Sequence, residues 1–412
     1  MFKGIFKREY YFNKINGFIN DADIIKVITG IRRCGKSSFL QSIVNELENN
    51  GVRSKDIIYI NLDQRGFYHI KSNDQLAKLI DETILDDEFK YLFIDEIQNV
   101  KDFEPLINAY RETKNMSIFI TGSNSYLLSG ELITKLTGRY IEIEMFPLNF
   151  NEYIEMKKFL KKKCDDNIAV EFEQYIKYGG FPKALEYDDN VAKKEYIKEV
   201  MKQIIKKDIK SKNKIRNLSV FDKVLKYIIN NFGATTNLSN ILEYFNKKKK
   251  IPIKQETLYR YVEIIENAKL IYKCSRFDLR SRRSLRNEQK YYIADLGLYF
   301  ATNVDDRINY SPALENILYT YLSSKGYELS IGKVGILECD FITRLDGTYH
   351  YIQVATSIAD KNVEDREYKV FTKIHDNYPK YLFTLDPILQ KRDGIIHKNL
   401  MNFIANDEDL VH

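Results

Sequence analysis

Short apolar runs alternate with amphipathic segments at the beginning of the chain. Five runs rich in β-branched and aromatic residues lie between polar stretches and therefore predict buried strands. The predicted strands are Ile25–Thr29, Ile57–Asn61, Tyr91–Glu96, Ser117–Thr121 and Tyr140–Glu144. Helical spacing follows the first strand over Ser38–Glu48, and a further helix is expected within residues 1–23.

The pattern changes after residue 145. Residues 146–216 are predicted to be largely helical, with a tight break at the paired glycines and proline of Tyr178–Pro182. Three further helices follow, the third over Gln255–Asn267, and they precede a hairpin of strands Leu270–Arg276 and Gln289–Ala294. This order predicts a winged helix-turn-helix, in which the third helix would enter a DNA major groove and the hairpin would be the wing.

The C-terminal part combines one helix with a second hairpin. An amphipathic helix is predicted from Ser311, and Glu338–Phe341 lies in a predicted strand. Asp346-Gly347 is a hairpin signal, and Tyr349–Ala355 is the expected partner strand.

Length and composition limit the class of protein. With 412 residues the chain is too long for one ordinary core, so two or three domains are expected. It has no uncharged run of about 18 apolar residues and no signal-peptide core, so we expect a cytoplasmic protein without membrane contact. The four cysteines are widely spaced and predict neither a zinc site nor a disulfide framework. The net charge of +6 is modest, so its meaning depends on where the basic residues lie.

The segment between the first strand and its helix carries the clearest chemistry. Gly30–Ser37 matches the P-loop spacing G-x-x-x-x-G-K-[ST], in which backbone N–H groups converge on phosphate oxygens. Lys36 is expected to neutralise the β- and γ-phosphates of ATP, and the Ser37 hydroxyl to ligate Mg²⁺. The alternative is a chance match in a glycine-containing turn. The predicted nucleotide-binding residues of the loop are Gly30, Ile31, Arg32, Arg33, Cys34, Gly35, Lys36, Ser37 and Ser38.

Two carboxylates end the third predicted strand. Asp95 is expected to hold Mg²⁺ through its water shell, and Glu96 to orient and polarise the attacking water. For this purpose the strand is expected to run beside the P-loop strand. The alternative is a chance pair of acidic residues at a strand end.

Two further positions have a catalytic interpretation and an ordinary one. Asn124 or Ser123, after the fourth strand, is placed to touch the γ-phosphate and the lytic water, although any loop can contain such polar residues. Arg139, before the fifth strand, is either a surface arginine at a helix end or an arginine finger. As a finger it would reach the γ-phosphate of its own or of a neighbouring subunit.

Six stretches along the chain read GIRRCGKSS, LFIDEIQN, ITGSNSYLLS, LTGRYIEIEMFPLNFNEY, YGGFPKAL and KKDIKSKNKIRN. Together they resemble the large prokaryotic family of AAA+-type ATPases that carry a C-terminal nuclease-like domain of unknown function. The resemblance implies an α/β fold with a five-stranded parallel sheet, in which the fourth, sensor strand flanks the P-loop strand. The implied domains are a P-loop ATPase domain (1–145), a helical lid (146–216), a winged helix (217–300) and a restriction-nuclease-like domain (301–412).

Basic residues concentrate in two regions. Lys202–Arg216 holds seven basic residues and one acidic residue, and we interpret it as a solvated helix face. The wing, Lys269–Lys290, has eight basic residues against two acidic ones, which fits phosphate neutralisation on double-stranded DNA. The alternative is a protein contact or a rigid arm to the ATPase. The third helix adds Lys254, Gln255, Thr257, Tyr259 and Arg260.

The C-terminal helix, strand and hairpin resemble the core of restriction-type nucleases, which uses a helix glutamate, a strand aspartate and an E-x-K motif. Glu315 and Asp340 match the first two, but Gln353-Val354-Ala355 stands in place of the third. A neutral glutamine is a weaker Mg²⁺ ligand than a carboxylate, and alanine does no chemistry. We therefore expect no nuclease activity unless a lysine such as Lys361 reaches the site. A degenerate module that binds nucleic acid or a partner is the preferred interpretation.

These observations predict a Mg²⁺-dependent AAA+-like ATPase that couples its nucleotide state to DNA or to a DNA-bound partner. One alternative is an ATP-dependent signalling or assembly switch whose basic arm binds protein or RNA, and another is an ATP-dependent nuclease. The expected ligands are ATP or ADP, Mg²⁺ and double-stranded DNA. A homo-oligomer would be required if Arg139 acts on a neighbouring subunit.

Overall fold

The computed structural model describes residues 2–113, 115–122, 138–279, 281, 283–303 and 307–411. These residues form two compact units. The first comprises the chain up to Met145 together with Asn267–Lys269, and the second comprises Phe146–Glu266 together with the chain from Leu270 onward. Each unit has its own sheet and its own apolar core.

A five-stranded parallel sheet forms the centre of the first unit. Its strands are β1 (Ile25–Thr29), β2 (Ile57–Asn61), β3 (Lys90–Asp95), β4 (Met116–Thr121) and β5 (Tyr140–Glu144). Their order is β2-β3-β4-β1-β5, and every neighbouring pair is parallel. The described helices of this unit are α1 (Glu9–Asn16), α2 (Lys36–Asn49), α3 (Asn73–Thr83) and α4 (Glu104–Glu112). The predicted α/β class with a parallel sheet is confirmed.

The order of the strands corrects one expectation about the site. β4 lies between β1 and β3, so the strand that ends in Asp95 does not run beside the P-loop strand. β4 pairs with β1 along Lys26–Ile28 and with β3 along Lys90–Ile94, so the expectation that the fourth, sensor strand flanks the P-loop strand is confirmed. Because the strands are parallel, the carboxyl ends of β1, β3 and β4 still meet at one edge of the sheet. Residues that follow these strands are therefore the candidates for a ligand site.

The central strands of this sheet are buried on both faces. Every position of β1, β3 and β4 is buried, which explains why these strands read as continuous apolar runs in the sequence. Their side chains form one core cluster with Leu76 and Ile80 of α3 and with Ile107 of α4. Ser72 and Gln75 form a capping box that fixes the start of α3.

The second unit begins with a series of helices. Several of them start at a side-chain cap that satisfies first-turn N–H groups, among them Asn149, Asp189 and Asn217. Within the described residues of either unit, no helix combines the length and the apolar character that crossing a bilayer requires. The described helices of this part of the chain are α5 (Phe150–Phe159), α6 (Ile168–Tyr178), α7 (Asn190–Gln203), α8 (Leu218–Asn230), α9 (Leu238–Glu243), α10 (Gln255–Asn267), α11 (Leu296–Thr302), α12 (Tyr310–Ser324), α13 (Lys361–Lys369) and α14 (Leu400–Ala405).

Eight strands form the sheet of the second unit. They are β6 (Ile271–Asp278), β7 (Arg283–Ile293), β8 (Glu328–Val334), β9 (Leu337–Leu345), β10 (Thr348–Val354), β11 (Lys380–Thr384), β12 (Lys391–Arg392) and β13 (Ile395–Asn399). Their order is β12-β13-β11-β10-β9-β8-β6-β7. Asp346 and Gly347 join β9 to β10 with φ angles of 48° and 82°, so the hairpin signal in the sequence is confirmed.

The β6–β7 hairpin belongs to this sheet. β6 pairs in parallel with β8, so that Arg276–Asp278 lie opposite Ile331–Lys333. The predicted boundary between residues 300 and 301 therefore separates strands that belong to one sheet, and this division between a winged helix and a nuclease-like domain is corrected. A pairing between strands that are distant in the chain leaves no local signal, so the sequence associated the hairpin only with the helices before it.

A buried asparagine joins α12 to the end of the hairpin. Asn316 donates a hydrogen bond from Nδ2 to the Ile293 carbonyl at 2.9 Å. It accepts one at Oδ1 from the Ile293 N–H at 2.7 Å. Because the amide satisfies both backbone groups at the end of β7, its burial is compensated. This contact fixes α12 against the sheet.

The loop at Gly179-Gly180, where the sequence predicts a break between helices, packs against the buried carboxylate of Asp295. Gly179 has a φ angle of 70°, and a Cβ atom there would lie 1.7 Å from Oδ1 of Asp295. A Cβ atom on Gly180 would lie 2.0 Å from the Leu148 carbonyl oxygen. Asp295 accepts hydrogen bonds from the N–H groups of Gly180 at 2.6 Å and of Gly297 at 2.8 Å. The carboxylate thus links the loop to the first turn of α11, and burial raises its pKa to about 7.

We expect Gly179→Ala to lower the free energy of unfolding by about 3 kcal/mol, because the methyl group adds a collision with Asp295 to a strained φ angle. Gly326→Ala is the matched control. Gly326 has a φ angle of 89°, but its Cβ would have no neighbour within 4 Å, so it should lose only the backbone strain of about 1–2 kcal/mol. Denaturant unfolding followed by circular dichroism measures both. Equal losses in the two variants would contradict the crowding at Gly179.

Candidate nucleotide site

Glycines give the loop between β1 and α2 its tight backbone. Gly30 and Gly35 have φ angles of 136° and 110°, a region that residues with a Cβ atom disfavour. A Cβ atom on Gly30 would lie 2.1 Å from the Met145 carbonyl oxygen. Arg33, between the two glycines, also has a positive φ angle, 71°. The spacing of the glycines in the sequence therefore matches the two places where the turn needs them.

The loop closes around the side chain of Lys36. Its ammonium is buried and donates hydrogen bonds to the carbonyl oxygens of Gly30 at 2.9 Å and of Ile31 at 3.1 Å. Ser37 and Ser38 follow in the first turn of α2. At this helix end the N–H groups have no intrahelical acceptor, and the helix dipole favours an anion. A cation and a set of backbone donors are thus directed to the same place.

Cys34 fills the inside of the loop. Its thiol is fully buried, and a Cβ atom on Gly30 would lie 3.1 Å from its Sγ. Burial raises the pKa of the Cys34 thiol, although the charges of Lys36 and Arg8 partly oppose the shift. Because the thiolate is the reactive form, this environment favours a packing role. Arg8 from the N-terminal segment also donates to the Cys34 carbonyl oxygen at 3.3 Å.

Two polar side chains fix the orientation of Asp95. Asp95 is 1% exposed. The Thr121 hydroxyl donates to its Oδ1 at 2.5 Å, and Asn61 donates from Nδ2 to its Oδ2 at 3.0 Å. These residues end the three adjacent strands β3, β4 and β2. The carboxylate is therefore held by its neighbours at the same sheet edge as the P-loop.

Glu96 follows in a strained conformation. Its φ and ψ angles are 60° and 46°, a left-handed conformation that is uncommon for a residue other than glycine. Its N–H donates to Thr121 Oγ1 at 3.0 Å, and its carboxylate accepts a hydrogen bond from the Gln98 amide. Burial raises the pKa of Glu96, and the positive charges of Lys36 and Arg32 partly oppose this shift. The left-handed turn thus brings the carboxylate within electrostatic reach of the P-loop.

Asn61 and Thr121 are site residues that the sequence analysis did not identify. Each is the last residue of a strand that neighbours β3, and this position is the signal that would have found them once the strand order was known. Both were included in predicted strands and received no role. The residues that did receive a role after β4, Ser123 and Asn124, lie outside the described residues, so their contact with the γ-phosphate and water stays a prediction.

Arg139 lies at the opposite edge of the sheet. Tyr140 pairs with Ile25 at the start of β1, whereas the P-loop follows Thr29 at its end. Five strand residues of about 3.3 Å each separate the two edges. The Arg139 side chain is 52% exposed and pairs with Glu112 at 3.4 Å. This position argues against the alternative in which Arg139 acts on its own P-loop. The role of Arg139 stays a prediction, either a finger toward a neighbouring subunit or a surface arginine.

The acidic pair predicted in the C-terminal region does come together, but with an unpredicted lysine. Glu315 of α12 and Asp340 of β9 both face Lys290 of β7. Gln353 of β10 accepts a hydrogen bond from the Asp340 N–H at 2.8 Å. Lys361, the lysine suggested for this site, is 69% exposed and pairs with acidic residues of its own helix. The suggestion that Lys361 replaces the missing lysine of the E-x-K motif is therefore wrong.

The residues of the P-loop unit fit a magnesium ion that arrives with a nucleotide. Mg²⁺ usually keeps several waters and takes one or two protein oxygens together with phosphate oxygens. The Ser37 hydroxyl and the Asp95 carboxylate are donors of this kind. Across the part of the chain that the structure describes, no group of three or more His, Cys, Asp or Glu side chains would hold a metal by itself. The donor set thus suits a metal–nucleotide complex.

A parallel sheet with a P-loop after β1 and an acidic pair after β3 defines the class of P-loop ATPases, and the family model described as an AAA domain matches residues 22–154. A second model, described as a domain of unknown function, matches residues 169–307. Among solved structures, a Walker-type ATPase of Pyrococcus abyssi has a similar fold, with a TM-score of 0.50 and 18% identity. That similarity covers 71% of this chain and 94% of the other.

Two relatives extend the similarity over most of the chain. An uncharacterized protein of Haemophilus influenzae is 34% identical over 386 residues, which cover 93% of this chain and 94% of the relative. An uncharacterized protein of Methanocaldococcus jannaschii is 33% identical over 362 residues, which cover 85% and 78% of the two chains. This chain belongs to the same family as these proteins, within the AAA+-type P-loop ATPases that its motifs indicated.

Proposed function

We propose that this protein binds ATP with Mg²⁺ at the P-loop, hydrolyses it, and couples its nucleotide state to double-stranded DNA or a DNA-bound partner. The observation that carries the ATPase assignment is the convergence of Lys36, Asp95 and Glu96 at one edge of the parallel sheet. The ammonium, the metal-binding carboxylate and the second carboxylate are the three groups that phosphoryl transfer to water requires.

Each residue has a defined role in this proposal. Lys36 exchanges the loop carbonyl oxygens for phosphate oxygens, and Ser37 and Asp95 hold Mg²⁺, which neutralises charge on the phosphates. Glu96 orients the attacking water and takes its proton. Thr121 positions both acidic residues, because its hydroxyl donates to Asp95 and accepts from the Glu96 N–H.

The DNA part of the proposal rests on an exposed basic surface, which we define as Lys247–Lys250, Lys254 and Arg260. All of these residues are exposed, and they lie just before or within α10, the third helix of the predicted helix-turn-helix. Tyr259, also exposed, lies beside Arg260 and accepts a hydrogen bond from Gln255 at 3.0 Å. Exposed lysine and arginine side chains on such a helix neutralise phosphates and give a salt-dependent affinity.

Two basic residues of the β6–β7 hairpin, Arg276 and Lys290, are already paired within the protein. Arg276 pairs with Glu288 and, at 2.7 Å, with Glu338. Lys290 is buried and pairs with Glu315 at 2.9 Å. Cations that are already paired inside the protein are poor phosphate ligands, because leaving their partners would strand buried charges. In the proposal the basic surface beside α10 therefore supplies phosphate contacts that Arg276 and Lys290 do not.

We expect the double variant Lys254→Gln/Arg260→Gln to bind duplex DNA more weakly. The slope of log Kd against log salt should fall by about 2, because about 0.9 is lost for each phosphate contact. The matched control is Lys55→Gln/Lys78→Gln, which removes two exposed positive charges from the first unit. Fluorescence anisotropy at several salt concentrations measures the slope. An unchanged slope, or no binding by the wild type at low salt, would count against this surface.

Turnover measurements separate the DNA hypothesis from the signalling or assembly switch. ATPase rates are measured alone and with duplex DNA, single-stranded DNA and RNA. Stimulation by duplex DNA that is lost in the Lys254→Gln/Arg260→Gln variant supports the proposal. Stimulation by RNA alone, or by none of the three, favours a switch that contacts RNA or protein.

We expect turnover per subunit to rise with protein concentration if Arg139 completes the site of a neighbouring subunit. Arg139→Ala and Lys36→Ala chains should then be inactive alone and should regain part of the turnover when mixed, because each supplies the group that the other lacks. Arg53→Ala, which removes another half-exposed arginine of the same unit, is the control. Turnover that is independent of concentration, with no rescue on mixing, would make Arg139 a surface arginine.

A further inference from the structure

The acidic cluster in the sheet of the second unit contains a cation that the chain itself supplies. Nζ of Lys290 lies 2.9 Å from Oε2 of Glu315, 3.0 Å from Oε1 of Glu338 and 3.9 Å from Oδ1 of Asp340. The lysine side chain is only 6% exposed. Its ammonium thus occupies the point at which three carboxylates converge.

Two of these carboxylates have a second donor. The Tyr292 hydroxyl donates to Oε2 of Glu315 at 3.0 Å. Nη2 of Arg276 lies 2.7 Å from Oε2 of Glu338. Tyr292 and Arg276 belong to the two strands of the β6–β7 hairpin, as Lys290 does. The hairpin therefore supplies the donors, and α12 and β9 supply the acids.

The third carboxylate and the glutamine beside it are also engaged. Asp340 accepts a hydrogen bond at Oδ2 from the Val354 N–H at 2.8 Å. Gln353 accepts one at Oε1 from the Asp340 N–H, and donates one from Nε2 to Oε2 of Glu367 at 2.8 Å. The side-chain oxygen that stands in the E-x-K ligand position is thus bound to the protein backbone.

This arrangement does not fit the metal that a restriction-type core implies. Mg²⁺ requires ligand oxygens at about 2.0–2.1 Å, and the ammonium occupies the space between the carboxylates where such an ion would bind.

We propose that Lys290 takes the place of a divalent metal in this cluster, and that its ammonium locks the β6–β7 hairpin to α12 and β9. The cluster is then a closed network of ion pairs and performs no metal-dependent hydrolysis of nucleic acid. A single fixed charge stands in place of an exchangeable ion, and it ties the hairpin to the same sheet that its pairing with β8 already joins.

The test uses the Lys290→Met variant of the whole chain, which keeps an unbranched side chain one atom shorter and removes its charge. Manganese binding is measured without nucleotide by electron paramagnetic resonance, and melting temperatures are measured in EDTA and in Mn²⁺. The wild type should bind no Mn²⁺ that depends on Asp340. Lys290→Met should melt lower in EDTA, gain a Mn²⁺ site that the wild type lacks, and recover stability with Mn²⁺. Asp340→Asn in the same background should remove that site.

Two controls define the role of the charge. Lys290→Arg keeps a cation and should bind no Mn²⁺ that depends on Asp340. Lys361→Met removes an exposed lysine and should change neither the melting temperature nor Mn²⁺ binding. If Lys290→Met does not fold, Lys290→Met/Glu315→Gln removes one carboxylate together with the ammonium. That double variant should fold, because fewer buried charges are left without a partner. Failure of the double variant to fold would overturn the proposal.

Other results would also overturn it. The proposal fails if the wild type binds Mn²⁺ and Asp340→Asn abolishes that binding. It also fails if Lys290→Met is as stable in EDTA as the wild type. It fails as well if Lys290→Met is destabilised but neither binds Mn²⁺ nor regains stability with it. Plasmid, single-stranded DNA and RNA are incubated with the wild type in Mg²⁺ and in Mn²⁺, with and without ATP. Cleavage that disappears in Asp340→Asn would show that the cluster is an active metal site.

Discussion

Replacing Lys36 with alanine is expected to abolish measurable ATP binding and, with it, hydrolysis. Lys36 is 4% exposed, and its ammonium is bound to the carbonyl oxygens of Gly30 and Ile31, so it is already held where phosphate oxygens would replace them. A hydrogen bond to a charged group contributes about 1.5–3 kcal/mol. Loss of contacts with two phosphates therefore corresponds to about 3–6 kcal/mol, or at least a 100-fold weaker Kd.

Titration with a fluorescent ATP analogue measures this effect, and melting temperatures show whether the variant is folded. The contacts of Lys36 lie within its own loop, so we expect the melting temperature without nucleotide to stay close to that of the wild type. Lys55→Ala is the control, because Lys55 is a half-exposed lysine that pairs with Asp86 in the same unit. An affinity of Lys36→Ala within tenfold of the wild type would contradict the assignment of the loop.

The parallel sheet was predictable because its strands are buried on both faces. β1, β3 and β4 consist largely of apolar residues, the P-loop follows β1, and the Asp95-Glu96 pair lies at the end of β3. Local spacing was therefore sufficient to find the strand, the turn and the helix. The order of the strands was not local information, and the sequence analysis placed β3 beside β1 although β4 separates them.

The supporting residues of the site could not be predicted for the same reason. Asn61 and Thr121 have a role only because the ends of β2 and β4 lie beside the end of β3. A polar residue at the end of a strand is common, and the two hydrogen bonds to Asp95 depend on the pairing register. The acids that the motif specifies were visible in the sequence, whereas the residues that orient them required the sheet.

In the second unit, local sequence patterns predicted the helices and hairpins but not how the strands pair. Its helices and hairpins were recognisable, but the parallel pairing of β6 with β8 joins segments separated by about 50 residues of chain. The same pairing changes how the basic hairpin is understood. Lys290 counted as a potential phosphate contact in the sequence, and the structure instead buries it against Glu315, Glu338 and Asp340. Charge in the sequence indicates a surface only where tertiary pairing leaves it exposed.

Replacing Glu96 with glutamine is expected to slow ATP hydrolysis by about 10²–10⁴-fold while leaving ATP affinity nearly unchanged. Glutamine keeps the shape of the side chain, but it cannot take a proton from the attacking water. Asp95 keeps its hydrogen bonds from Thr121 and Asn61, so the proposed Mg²⁺ ligand stays in place. Glu82→Gln is the control, because Glu82 is an exposed glutamate of the same unit.

The pH dependence of turnover is a second test of the assignment of Glu96 as the group that takes the proton of the attacking water. Glu96 must be ionised to accept a proton, and burial raises the pKa of its carboxyl. The kcat of the wild type should therefore fall as the pH drops through this raised pKa, at a higher pH than an ordinary glutamate would give. This acidic limb should disappear from the residual activity of Glu96→Gln, whereas Glu82→Gln should retain it. A turnover of Glu96→Gln equal to that of the wild type would show that another group activates the water.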